Sequence, residues 1–412
     1  MNNTHQIQLP NGIRIVLHSF ESSISHACLL VQTGSRDEPE HQYGLAHFIE
    51  HLLFKQTERR TTHQILNRLE SVGADLNAYT TKEYTCLHAS FLTPFLNRAL
   101  DLFEDLCFHS VFPENELVKE KGVILDEMAS YLDSPEEAVI DDFEDLVFKN
   151  HALGHNILGL EEDLKGMEKQ HIQLFMQQHY RPDQLVIGIS GQYTIKQVQK
   201  LVDKLFGHLT SYTQVSKRAV PGSAIPEQVE MAKSINQVHQ VIGSRACSIH
   251  DPDKTAMLLL SNYLGGMGMS SKLNMVVREK HGIAYTIESN FSPYSDTGMF
   301  YIYFGTDIEK ADKANKLVER ELRKLKEQRL SPTQLHQAKQ KFKGQIALGE
   351  EHRMSLVIAL SKNVLDYGRI LPLKEVFEHI DQVSSSQIQE LSQQLFDPSV
   401  LYRLAFVPEE ED

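Results

Sequence analysis

Polar and apolar positions alternate at the start of the chain. Ile7 and Leu9, a Pro10-Asn11-Gly12 turn, and then Ile13, Ile15 and Leu17 predict two strands joined tightly. A third strand is predicted over 25–33, ending at Gly34. The apolar period then lengthens to that of a helix over 44–54 and 62–72. Strands follow at 74–81 and 83–92, then amphipathic helices to about 149. Leu185-Val-Ile-Gly-Ile-Ser190 reads as a short buried strand, and a helix over 194–206 closes this half.

Periodicity fades between 207 and 234, where Pro221-Gly222-Ser223 and Pro226 sit in a polar stretch. The order of elements then repeats, with a strand over 237–246, helices over 255–264 and 271–280, and a strand from Ala284. Glu70-Ser-Val-Gly-Ala-Asp-Leu-Asn-Ala-Tyr79-Thr80 is echoed by Glu279-Lys-His-Gly-Ile-Ala-Tyr285-Thr286, each closing a helix at a glycine and opening a strand. Long helices over 95–107 and 309–326 complete the echo. Strands and helices in blocks predict an α+β protein of two similar domains. Their expected bounds are 1–208 and 235–412, joined by a linker at 209–234.

Composition narrows the class. The 412 residues are 41% hydrophobic and 23% charged, ordinary globular usage that excludes wholesale disorder. A net charge of −14 argues against non-specific nucleic-acid binding and against anionic lipid. No run approaches the roughly 18 apolar residues of a membrane span. The first ten residues lack the basic and apolar regions of a secretory signal. Cys28, Cys86, Cys107 and Cys247 are scattered, with no CxxC pair, and read as small buried residues in a reducing compartment. A cytoplasmic protein is expected.

The chemistry-bearing signal is His47-Phe48-Ile49-Glu50-His51. On a helix, i and i+4 share a face, so both imidazoles point at one ion with Glu50 beside them. Zinc needs a third protein ligand and an open position for water, and a carboxylate to take that water's proton. Downstream, Glu120-Lys-Gly-Val-Ile-Leu-Asp-Glu127-Met is strongly helical. Seven residues at about 100° each fall about 20° short of two turns, so Glu120 and Glu127 share a face.

Together, HFIEHLLFK, GADLNAYTTKEYT, EKGVILDEM and REKHGIAYT resemble the pitrilysin/insulinase family of zinc peptidases, the inverzincins, which includes mitochondrial processing peptidase. The motifs span both halves in the family's order. The resemblance implies one zinc per chain on His47, His51 and Glu127, with Glu50 as general base and Glu120 supporting the site from behind. It implies that Asn77 and Ala78 lie on an edge strand that holds extended substrate. It also implies that Arg278 and Tyr285 grip the substrate and stabilise the tetrahedral oxyanion. Leu264-Gly-Gly-Met-Gly-Met-Ser-Ser271 resembles the family's glycine-rich loop, interrupted at Met267. It lacks the strand and lysine of a phosphate loop. Gln56 departs from the family's usual glycine, while His151, His155 and Gly159 match a stretch read as structural.

The resemblance further implies that each chain forms half of a clamshell. A homodimer with two sites, each completed by the partner's Arg/Tyr domain, is therefore expected to cut extended or unfolded peptides. Two other readings remain at this stage: a non-catalytic binding or scaffold subunit of the same family, and a zinc hydrolase of a non-peptide amide.

Overall fold

The computed structural model describes residues 3–210 and 217–409. The chain folds into two compact units, each assembled from separate stretches. The first comprises Met1–Met128, Asn156–Arg218 and Leu348–Leu371; the second comprises Ala129–His155, Ala219–Ala347 and Pro372–Asp412.

Six strands form the first unit's sheet: β1 (Thr4–Gln8), β2 (Arg14–Ser19), β3 (Ile24–Val31), β4 (Asp75–Thr80), β5 (Thr85–Leu92) and β6 (Leu185–Gly191). Their order is β1-β2-β6-β3-β5-β4, antiparallel except where β6 runs parallel to β2. One face buries Ile15, Leu17, Leu29 and Leu87 against the helices Leu45–Leu53 and Leu96–Phe108. Val16, Cys28, Leu30 and Val186 on the other face meet Leu356, Val357, Leu360 and Val364 from the helix Arg353–Tyr367. Being covered on both sides, β6 is buried along its whole length, which is why its sequence is one apolar run rather than an alternation. Gly188 lets the covering helix approach, since a Cβ there would strike Ser361 and Cys28.

The second unit's sheet comprises β7 (Gln228–Lys233), β8 (Val238–Ala246), β9 (Ala284–Pro293), β10 (Gly298–Thr306) and β11 (Tyr402–Pro408). Its order, β7-β11-β8-β10-β9, repeats β2-β6-β3-β5-β4, down to the single parallel pair. The duplication expected from one shared sequence segment therefore extends to the whole sheet. The echoing segments end in the two matching edge strands, β4 and β9.

Helix placement differs from a simple split at residue 208. The helix Pro135–Val147 packs Val139, Phe143 and Val147 onto Tyr301, Leu404 and Phe406 of the second sheet. The helix Arg353–Tyr367 belongs to the first. An apolar stripe specifies burial but not which sheet buries it, so contiguous bounds were the natural expectation. Within the expected linker, 211–216 lie outside the described residues, and 228–233 form β7. β7 is a largely exposed edge strand paired only with β11, so its alternation is too weak to announce it. Over 271–280 the helix is wound as a π-helix at Asn274–Glu279. Among the described residues, no helix is long and apolar enough to cross a membrane.

Candidate active site

The motif helix Leu45–Leu53 buries Leu45, Phe48, Ile49, Leu52 and Leu53 and turns His47, Glu50 and His51 away from that core. Its N-cap, Gly44, has no side chain to cap the helix and sits at φ 94°. Glu38 supplies the missing acceptor. Its buried carboxylate takes hydrogen bonds from the backbone N–H of Gly44 at 2.8 Å and of Ala46 at 2.7 Å. Burial pushes the Glu38 carboxyl well above the usual carboxylate range, and these two donors oppose the shift. The backbone crosses itself here so closely that a Cβ on Gly44 would strike the Leu158 carbonyl and one on Gly159 the Tyr43 carbonyl, which fixes where the helix begins.

His47 Nε2 lies 3.8 Å from Glu127 Oε2, and His51 Nε2 lies 3.5 Å from the same oxygen. The imidazole rings stand edge to face with centroids 4.6 Å apart. One atom from each of the three residues falls within 4.8 Å of the others. Glu120 and Glu127, on the helix Glu114–Leu132, share the face that meets the motif helix. Glu120 is buried and receives His51 Nδ1 at 3.3 Å on one oxygen and Lys55 Nζ at 2.8 Å on the other.

That carboxylate backs His51 at Nδ1 and holds the ring so that Nε2 faces Glu127. Burial, and then the neighbouring His51, pull His47 down to about 4, so it is neutral at pH 7. Two imidazole nitrogens and a carboxylate oxygen thus converge. Such a donor set suits zinc. His47 Nδ1 is buried without a hydrogen-bond partner, so only one of the two imidazoles is fixed from behind.

Glu50 does not join this cluster. Its Oε2 accepts a 2.6 Å hydrogen bond from the Thr80 hydroxyl at the end of β4. Burial raises the Glu50 carboxyl, as does the nearby Glu127 charge; the Thr80 hydroxyl and His51 oppose the shift. β4 is an edge strand, paired only with β5. Its alternation splits the two residues singled out there. Ala78 packs toward the core beneath the motif helix, whereas Asn77 is exposed on the opposite face.

Arg278 and Tyr285 lie in the second unit, on the π-helix and on β9. Both line an open pocket of ≈ 340 Å³ together with Gly265, Gly266, Gly268 and Met269. Tyr285 is 64% exposed. Asn274 ties the π-helix to β9 by donating to the Ile287 carbonyl at 3.1 Å. A π-turn re-aims side chains relative to an α-helix, and Arg278 sits on it. Lys55, Thr80 and Glu38 received no role from the sequence. Lys55 follows His51 by four residues and Thr80 follows Ala78 by two, so periodicity held a signal for both. Glu38 reaches the helix through a loop and left no such trace.

Residues 14–161 match the family model described as insulinase (peptidase family M16), and residues 166–342 match the peptidase M16 inactive domain. A protein of Bacillus subtilis named an uncharacterized zinc protease is 33% identical, over 96% of both chains. An Arabidopsis thaliana protein named a probable mitochondrial-processing peptidase subunit beta is 29% identical, over 94% of this chain and 75% of its own length. Among solved structures, a protease from Helicobacter pylori superposes with a TM-score of 0.91 at 21% identity, covering 98% of this chain and 99% of that one. A peptidase M16 inactive domain from Pseudomonas fluorescens gives a TM-score of 0.89 at 18% identity, covering 100% and 99%. The chain belongs to the insulinase family of M16 peptidases. The matched inactive-type domain covers the half that lacks the HxxEH motif.

Proposed function

We propose that the chain is a zinc-dependent endopeptidase acting on extended or unfolded peptides. The observation that carries this reading is the Glu50 carboxylate, held by Thr80 of an edge strand and set beside three converging ligand atoms. His47, His51 and Glu127 hold one catalytic zinc, and Glu120 with Lys55 keeps His51 in place. When bound, zinc supplies Lewis acidity toward water and the scissile carbonyl. Glu50 takes a proton from the attacking water and returns it to the leaving amine, a task suited to a carboxyl of raised pKa. β4 offers unpaired backbone groups to any extended sequence, so its grip is on backbone rather than on particular side chains. Asn77 and Ala78 act there mainly through their main chain. Arg278 grips a peptide carbonyl and the Tyr285 phenol donates to the oxyanion.

The reading includes a cytoplasmic homodimer in which Arg278 and Tyr285 of each chain complete the zinc site of the other around an enclosed chamber. A quenched fluorescent peptide tests the activity. Cleavage that stops with a chelator and in Glu50→Gln supports it; full cleavage by Glu50→Gln overturns it. Mixing tests completion in trans: Glu50→Gln and Tyr285→Phe chains, each inactive alone, should regain about one working site per heterodimer. Heterodimers that form without regaining activity refute the shared site.

A further inference from the structure

A second cluster in the first unit has the same chemical make-up as the proposed catalytic one. Glu104 lies on the inner face of the helix Leu96–Phe108, 2% exposed between fully buried apolar turns. His109 caps that helix, and His208 follows the packed helix Ile195–Phe206. His109 Nε2 and His208 Nε2 approach Glu104 Oε1 at 2.9 and 3.6 Å. All three ligand atoms lie within 4.8 Å of one another. Zinc bonds of about 2.1 Å at tetrahedral angles put ligand atoms roughly 3.4 Å apart, and these separations straddle that value.

The groups around the cluster suit a cation as well. His109 Nδ1 faces the Glu58 carboxylate at 3.4 Å, the arrangement that fixes the tautomer of a metal-bound imidazole. His109 Nε2 meets Glu104 Oε1 in a 2.9 Å hydrogen bond, and a metal bound there takes the place of the shared proton. His208 Nε2 stands beyond hydrogen-bond reach of the same oxygen but within ligand range. The Arg59 guanidinium spans the same pair, with Nη1 on Glu104 Oε2 at 2.6 Å and Nη2 on His109 Nε2 at 2.7 Å. Its side chain is 45% exposed. Arg59 can therefore release His109 while keeping the Glu104 oxygen that a metal leaves free.

We propose that Glu104, His109 and His208 form a second site for zinc or a similar transition-metal dication. The metal fastens the chain just past Ile195–Phe206 to the helix Leu96–Phe108, and Arg59 takes the cation's place when metal is absent. The further carboxylate beside it, Glu58, faces His109 Nδ1 on the side away from the ligand atoms, so the site binds without hydrolysing.

The test uses full-length His51→Ala protein, stripped by chelator and titrated with Zn²⁺ and with Co²⁺. About one equivalent should bind at micromolar metal, with the visible absorption of tetrahedral cobalt. Adding His208→Ala, a change at an exposed residue, should weaken binding by about tenfold or more. Adding Arg59→Ala instead should tighten it several-fold, because the competing cation is gone. His208→Ala alone should leave peptide cleavage at the parent rate. No uptake below millimolar metal, uptake indifferent to His208→Ala, or weaker binding in Arg59→Ala overturns the proposal. Each outcome is read from metal content, so it stands apart from the peptidase reading.

Discussion

The two Glu/His/His clusters of the first unit share a construction and differ in what surrounds it. In each, two imidazole nitrogens meet one carboxylate oxygen, and a second carboxylate backs one histidine, at 3.3 Å for Glu120 on His51 and 3.4 Å for Glu58 on His109. Around the HxxEH cluster stand a carboxyl raised by burial and an edge strand. Around the other stands a guanidinium. The contrast separates holding a metal from using it. Three ligand atoms make affinity, whereas a base outside the ligand set and a place for substrate backbone make a reaction.

Removing the base tests that separation most severely. Glu50→Gln is expected to lower peptide cleavage by about 10²–10⁴-fold, the usual worth of a positioned proton acceptor, while zinc content by mass spectrometry stays unchanged. Loss of metal together with activity would show that Glu50 is a ligand and that the two clusters do not divide as described. His51→Ala should do the reverse, abolishing both cleavage and the catalytic zinc. Any other metal site remains filled, so comparing bound zinc between His51→Ala and the parent counts one cluster against the other.

The backing carboxylate comes next in size. Glu120→Gln keeps its shape but loses the charge that orients His51 and pairs with Lys55 at 2.8 Å. Zinc affinity, measured by competition with a chromophoric chelator, should fall about 10–100-fold. A smaller change would mean that His51 is held by its helix alone, as His47, with its unpartnered Nδ1, must be.

How much of this was legible in the chain depends on the distance over which each feature is encoded. The shared faces of His47 with His51 and of Glu120 with Glu127 were, because four-residue and seven-residue spacings on helices fix them locally; that Glu127 meets the histidines was implied by the family resemblance alone. The strand carrying Asn77 and Ala78 was legible as a strand; that it ends the sheet depends on which strands pair, and pairing is long-range. The exchange of helices was hidden for a related reason, since Val139 and Val357 announce buried faces without naming the sheet that buries them. The second cluster gathers Glu58, Glu104, His109 and His208 from three places, and only the 104–109 pair is near enough in sequence to share a helix end. The π-turn under Arg278 depends on how β9 anchors Asn274, again a tertiary contact.

The smallest expected effect concerns Thr80, and it tests how the base is held rather than whether there is one. Its hydroxyl gives Glu50 a 2.6 Å hydrogen bond, and hydrogen bonds to charged groups are worth about 1.5–3 kcal/mol. Thr80→Val preserves shape and strand preference while removing that donor, so the fold and the zinc should both survive. Two consequences oppose each other. Without the donor the Glu50 carboxyl rises further, which strengthens it as a base where it is ionised. The carboxylate also loses its fixed direction toward the water position, and it stays protonated to higher pH. Orientation should dominate, because a base must lie within hydrogen-bond reach of the proton it takes. The expected result is a fall in kcat of about tenfold with KM little changed, and an acidic limb of the rate profile displaced toward higher pH. A rise in KM alone would place Thr80 with the substrate-holding edge of β4 instead of with the base, and a Thr80→Ser variant, which restores the donor, should recover most of kcat.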